Sequence, residues 1–200
     1  MSGTLRLDRS GSTAAEFALV LPLLLVFIFA IIDGGRFLWE TNRAEKAAQM
    51  GARLAVVTAP VSSGLVGQDY IGVGGLTQGD IIPASALSDM TCTRSSCSCS
   101  GACPTSAATA DPNAFDRIVA RMQAIKQDIQ PADVTVTYKG SGLGYAGNPY
   151  GMDISPIVTI EVTGASFTPI TTMVFGAPSF SLPTIRTTLT AEDSAGTASN

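Results

Sequence analysis

From Phe17 to Ile32 every side chain is apolar, and the one charge at the mouth of the run is Glu16. A segment of this kind must leave water. As a helix rising about 1.5 Å per residue it spans roughly 24 Å, a little short of the ~30 Å hydrocarbon core of a bilayer. Ala14 and Ala15 before it, and Gly34, Gly35 and Phe37 to Trp39 after it, can supply the missing turns. A carboxylate costs about 2.5–3.5 kcal/mol at a bilayer centre and less near the edge. Glu16 is therefore expected to have a use.

A cleaved secretory signal is the ordinary alternative. Arg6 and Arg9 would serve as its positive start, but the apolar run is longer than the usual core of a signal. Ile32-Asp33-Gly34 is also a poor small-x-small cleavage site.

Gly11, four residues, then Glu16-Phe17 at the mouth of an N-terminal apolar helix resembles the processing site of type IV prepilins. The continuation FALVLPLLLVFIFAIIDGGRF, followed by NRAEKAAQMGARLAVV, resembles the TadE-like pseudopilins of tight-adherence (Flp, type IVb) pilus systems. The residues that carry the likeness are Pro22, the acidic-Gly-Arg exit Asp33-Gly35-Arg36, and the AA-x-x-GAR signature formed by Ala47, Ala48, Gly51, Ala52 and Arg53. It is specific over residues 11–57 and only general beyond them. The resemblance implies a membrane aspartyl protease, the prepilin peptidase, cutting after Gly11 so that Ser12 becomes the mature N-terminus. It further implies that Glu16 lies near the new, positively charged N-terminus of an adjacent subunit. Opposite charges attract strongly at low dielectric, so a carboxylate there favours assembly. The bland alternative is that Glu16 snorkels to water at the membrane edge. Implied partners are inner-membrane lipid, the peptidase, other pilin-like subunits and pilus assembly proteins.

Elsewhere the composition mostly excludes. The net charge of −4 offers no basic footprint for nucleic acid. The chain has no histidine, which removes Ser-His and Cys-His catalysis and the commonest zinc ligand together. No catalytic set, cofactor site or small-molecule substrate is evident, so no enzyme is expected.

Orientation has to be weighed. Arg6 and Arg9 precede the apolar run, while Arg36, Arg43, Lys46 and Arg53 follow it. The positive-inside rule taken literally would place the downstream side in the cytoplasm. The prepilin-like site requires the opposite, and the four downstream cysteines favour an oxidising compartment. The expectation is a single-pass inner-membrane protein with its C-terminal domain in the periplasm.

The periodicities predict an α+β protein, a long N-terminal transmembrane helix continuing into a small domain with an antiparallel sheet and one further helix. That is also what a pilin-like fold implies. Residues 1–11 form the leader, 12–57 one helix, 58–193 the periplasmic domain, and 194–200 a flexible tail. Pro22 removes a backbone hydrogen bond inside the helix, which membrane helices tolerate. Ala44, Ala48, Gly51 and Ala55 form a stripe of small residues that lets another backbone approach, whether of the chain's own domain or of a neighbouring subunit. Pro60 ends the helix, and residues 61–91 read as an irregular connection with at most a short strand. Asp111 as N-cap and Pro112 begin a helix whose apolar face runs Phe115, Ile118, Val119, Met122, Ile125, Ile129, with Pro131 as its stop. Val134, Val136 and Tyr138 alternate, as do Val158, Ile160 and Val162, predicting a long-looped hairpin across Gly140 to Pro156. Ile185 to Ala191 predicts a last strand.

Cys92, Cys97, Cys99 and Cys103 are spaced C-x4-C-x-C-x3-C. Zinc would want paired C-x2-C knuckles, so two local disulfides are expected, with three connectivities open. Gly142 to Gly147 fits G-x-G-x-x-G as text, but a strand rather than a helix follows, which argues against a dinucleotide site. Tyr138, Tyr145, Tyr150 and Phe180 are expected in the core rather than on a sticky surface. The rival to a pilus component is an unprocessed, membrane-anchored periplasmic binding protein, and cleavage after Gly11 separates the two.

Overall fold

A computed structural model describes residues 10–104, 108–172, 176 and 179–191. Most of the expected leader and all of the expected tail lie outside the described residues. In chain order the elements are α1 (Ser10–Val57), α2 (Ser63–Val66), β1 (Met90–Cys92), β2 (Cys97–Cys99), α3 (Pro112–Gln123), β3 (Val134–Lys139), β4 (Ile157–Val162), β5 (Ser166–Phe167), β6 (Phe180–Ser181) and β7 (Ile185–Thr190). This is the expected α+β architecture. By contacts the chain divides into one unit of residues 1–40 with 166–180, and another of 41–165 with 181–200.

The larger unit holds the core. Strands β2-β1-β3-β4-β7 form one antiparallel sheet in that order. In the central ladder Val134 faces Val162, Val136 faces Ile160, and Tyr138 faces Val158. All six are buried, so the two alternations read from the sequence line one covered face. On the other face the cross-strand partners are polar. Thr91 meets Thr137 at 3.2 Å, Thr159 meets Thr188 at 2.9 Å, and Arg186 donates to Glu161 at 3.0 Å.

Helix α3 starts where expected, with the Asp111 carboxylate accepting from the Asn113 amide at 2.8 Å and Pro112 at the first helical position. Ala114, Phe115, Ile118, Val119 and Met122 are buried along its inner face. It ends at Gln123 rather than continuing to Pro131. The Ile125 and Lys126 amides both return to the Met122 carbonyl, and the Gln123 side chain reaches forward to the Ile129 carbonyl at 2.9 Å, turning the chain early. Arg43 of α1 takes the Ile125 carbonyl at 2.8 Å. Ile129 is still buried, but from the loop. In the same corner Lys126 is 1% exposed, its ammonium 2.7 Å from Asp128. Desolvation works against the Asp128 carboxylate, yet the Lys126 ammonium, a backbone hydrogen bond and Arg43 together hold its pKa below the ordinary value.

Residues 61–91, expected to be irregular, carry α2, two single turns of 3₁₀ helix at Val73–Gly75 and Ala84–Ala86, and strand β1. The β3–β4 connection is knotted around Asp153, a buried carboxylate that accepts from the Tyr70 amide at 2.9 Å, Gly147 at 2.9 Å and Asn148 at 2.8 Å. Burial, and then the Asp153 charge, push the Tyr70 hydroxyl up to about 12. The glycines of the G-x-G-x-x-G text serve this knot. Gly144 has φ 108° and bridges to Ile154, and a Cβ there would run into the Asp153 carbonyl oxygen. Of the aromatic residues expected in the core, only Tyr138 is there, its hydroxyl accepting from the Val61 amide at 2.8 Å. Tyr145, Tyr150 and Phe180 are exposed, because the first two ride on the Asp153 loop and the third on the short strand β6.

Candidate functional site

The stretch that the sequence singles out is α1. Its helix begins at Ser10, so the backbone from Ser10 through Ser12, including Gly11, is helical. Glu16 and Phe17 are exposed, and so is almost every side chain from Thr13 to Ile32. An apolar surface of this length, bare on all sides, is long and apolar enough to cross a membrane once. Pro22 lies inside the helix, where its missing N–H leaves the Ala18 carbonyl without the usual helical donor.

At the far end of the run Asp33 is buried. One carboxylate oxygen accepts from the Ile170 amide at 2.7 Å and from Arg36 at 3.2 Å. The other accepts from the Thr171 amide and hydroxyl, both at 3.0 Å. One turn further along α1, Phe37 meets the ring of Phe167 edge-on at 5.6 Å between centroids, and the Arg36 guanidinium stands 5.4 Å over the same ring. Four hydrogen bonds to one carboxylate are enough to hold it ionised away from water. The sequence marks Asp33 only as part of an exit motif. Its partners Ile170 and Thr171 lie more than 130 positions away in the chain, and no local pattern points to them.

The small-residue stripe belongs to the larger unit. Ala44, Ala48, Gly51 and Ala55 are all buried. A Cβ placed on Gly51 would lie 2.7 Å from the Met122 side chain and 3.5 Å from that of Ile118, so the chain's own α3 occupies the space the glycine leaves. The stripe over these residues thus faces inward.

Strands β1 and β2 form a hairpin that sets Cys92 directly opposite Cys97. Their sulfurs are at disulfide distance, 2.01 Å, and those of Cys99 and Cys103 are 2.04 Å apart. Of the three connectivities open to the sequence, this one joins neighbours across the hairpin and then closes the following turn. Arg94, in the hairpin turn, forks onto the Asp116 carboxylate of α3 at 2.7 and 2.8 Å. That hydrogen-bonded guanidinium holds the Asp116 pKa below the ordinary value. Among the described residues no group of three His, Cys, Asp or Glu side chains is arranged to hold a metal ion.

No curated protein and no solved structure matches the chain significantly. The part of the chain that carries Gly11, Glu16, Pro22, the Asp33 exit and the small-residue stripe as far as Gly51 is a different matter: residues 11–53 match the family model described as TadE-like protein, and over that segment the chain is similar to that family.

Proposed function

We propose that the protein is a pseudopilin-like minor component or assembly factor of a tight-adherence (Flp) pilus, processed by a prepilin peptidase after Gly11. The observation that carries this is one of register. The family match begins at Gly11, and the exposed apolar run of α1 opens five residues later at Glu16-Phe17. An apolar helix bare on every side must be covered by lipid or by other helices. The action is mechanical: insertion, cleavage, then helix–helix association through the apolar segment. The N-terminus lies in the cytoplasm, with the sheet and its cystine hairpin in the periplasm.

N-terminal sequencing tests the processing step. Co-expressed with the cognate peptidase, the protein is expected to yield a shorter product beginning at Ser12, and Gly11→Ala is expected to abolish it. Recovery of intact Met1 from an active pilus system would leave the anchored binding protein as the better account. Compartment is tested separately by alkylating protein extracted from the envelope under denaturing, thiol-blocking conditions. No free thiols are expected. Four alkylated cysteines would put the domain in the cytoplasm, on the side favoured by the charge count.

A further inference from the structure

We infer that the uncharged segment from Phe167 to Thr172 is latched by Asp33 into the headgroup layer of the membrane that α1 crosses, giving the protein a second lipid contact. This rests on the proposed single-pass anchoring of α1. Asp33 follows directly on Ile32, the last residue of the apolar run. The run falls short of the hydrocarbon thickness by roughly 6 Å, or about four residues of helix. Asp33 and Arg36 therefore sit at the outer edge of the bilayer, with Phe37, Leu38 and Trp39 at headgroup level. A bare carboxylate there would be costly. The Ile170 and Thr171 amides, the Thr171 hydroxyl and Arg36 satisfy it. Those same bonds fix the backbone of residues 170–171 at the height of Asp33, and the Phe37–Phe167 contact fixes the segment's start one turn further out.

The chemistry of the segment suits that depth. From Val162 to Ile185 the chain has no charged residue. Within this unit Leu38 is 63% exposed, Trp39 66% and Phe180 52%, and Leu38 and Trp39 follow the membrane run on the same helix. Tryptophan is enriched at headgroup level, where its apolar ring and polar N–H meet a wet boundary, which suits Trp39. Phe167 and Pro169 are buried and Thr168 is exposed, so the segment offers the interface uncharged polar groups, and the contact is with the bilayer interface itself and is indifferent to headgroup charge.

Trp39 is the chain's single tryptophan, which makes the test direct. Full-length protein is reconstituted into phosphatidylcholine nanodiscs containing lipid brominated near the headgroup, and tryptophan quenching is read. Trp39 reports on the span. Phe180→Trp in a Trp39→Phe background reports on the segment from strand β6, which pairs with β5 at the segment's start. Both probes are expected to lose about half their fluorescence or more, as aromatic residues at headgroup level should, and equally so when phosphatidylglycerol is added. Quenching of Trp39 without quenching of Trp at position 180 overturns the second contact while leaving the span intact. Quenching of neither overturns the span, and the inference with it. Asp33→Ala is expected to lower quenching at position 180 at least about twofold and to leave Trp39 quenching unchanged, which also shows that the protein is still inserted. Undiminished quenching at position 180 in that variant overturns Asp33 as the latch.

Discussion

Replacing Gly144 with alanine is expected to destabilise the domain by about 3–5 kcal/mol. Backbone strain supplies roughly 1–3 kcal/mol, because φ 108° is a conformation that L side chains rarely adopt. Overpacking supplies a similar amount, since the new Cβ meets the Asp153 carbonyl oxygen and not the yielding end of a side chain. That carbonyl cannot step aside freely. It accepts from the Tyr145 amide at 2.9 Å, and the Asp153 side chain holds three further amides. The check is thermal unfolding of the full-length protein in detergent, followed by near-ultraviolet circular dichroism. A fall in midpoint of roughly 10 °C or more is expected for a protein of this size. Gly151→Ala serves as control, because a Cβ there meets nothing within 4 Å and the midpoint should hold. Equal midpoints for the two variants would remove the close-approach account of the loop.

Glu16→Ala is expected to leave insertion intact or slightly improved, since a charge at the mouth of an apolar helix is removed. Assembly should respond in the opposite direction. If the Glu16 carboxylate pairs with a neighbour's N-terminal amine, the variant leaves that amine buried without its counter-charge, at a cost of about 3–5 kcal/mol. Association between subunits should then weaken by at least about a hundredfold. Cleavage need not change, because the proposed scissile bond lies five residues upstream. Crosslinking between membrane helices at matched expression measures the effect. Unchanged crosslinking together with normal piliation would make Glu16 a tolerated interfacial charge.

The elements legible in the sequence are those whose cause is local and periodic. The apolar run announces α1 because nothing else absorbs such a run, and its end at Val57 follows from Pro60 and from Thr58, whose amide and hydroxyl both close on the Leu54 carbonyl. The alternation of Val134, Val136 and Tyr138 with Val158, Ile160 and Val162 announces the central ladder, because one buried face fixes a period of two. The Asp111 cap announces the start of α3 but not its end. That end is set by Arg43, distant in the chain, and by Gln123 reaching a loop carbonyl. The Asp33 latch is hidden for the same reason, as both its acceptor and its donors look ordinary in their own neighbourhoods. The exposed Tyr145 and Tyr150 show the limit of composition as a guide, since aromatic residues on a loop wound around a buried carboxylate need not point inward. The register of Gly11, Glu16 and Phe17, the proposed processing site, is legible because it is a short linear pattern.

The corner where α3 turns toward β3 has a use of its own. The chain has three lysines, and Lys46 and Lys139 are exposed whereas Lys126 is 1% exposed with its ammonium on Asp128. An amine-reactive reagent needs a free, deprotonated amine. The native fold therefore partitions the lysines into two that acylate at once and one that reacts only when this corner opens. The rate of modification at Lys126, set against the other two as internal standards, is a clock for the opening of the domain, with no residue changed.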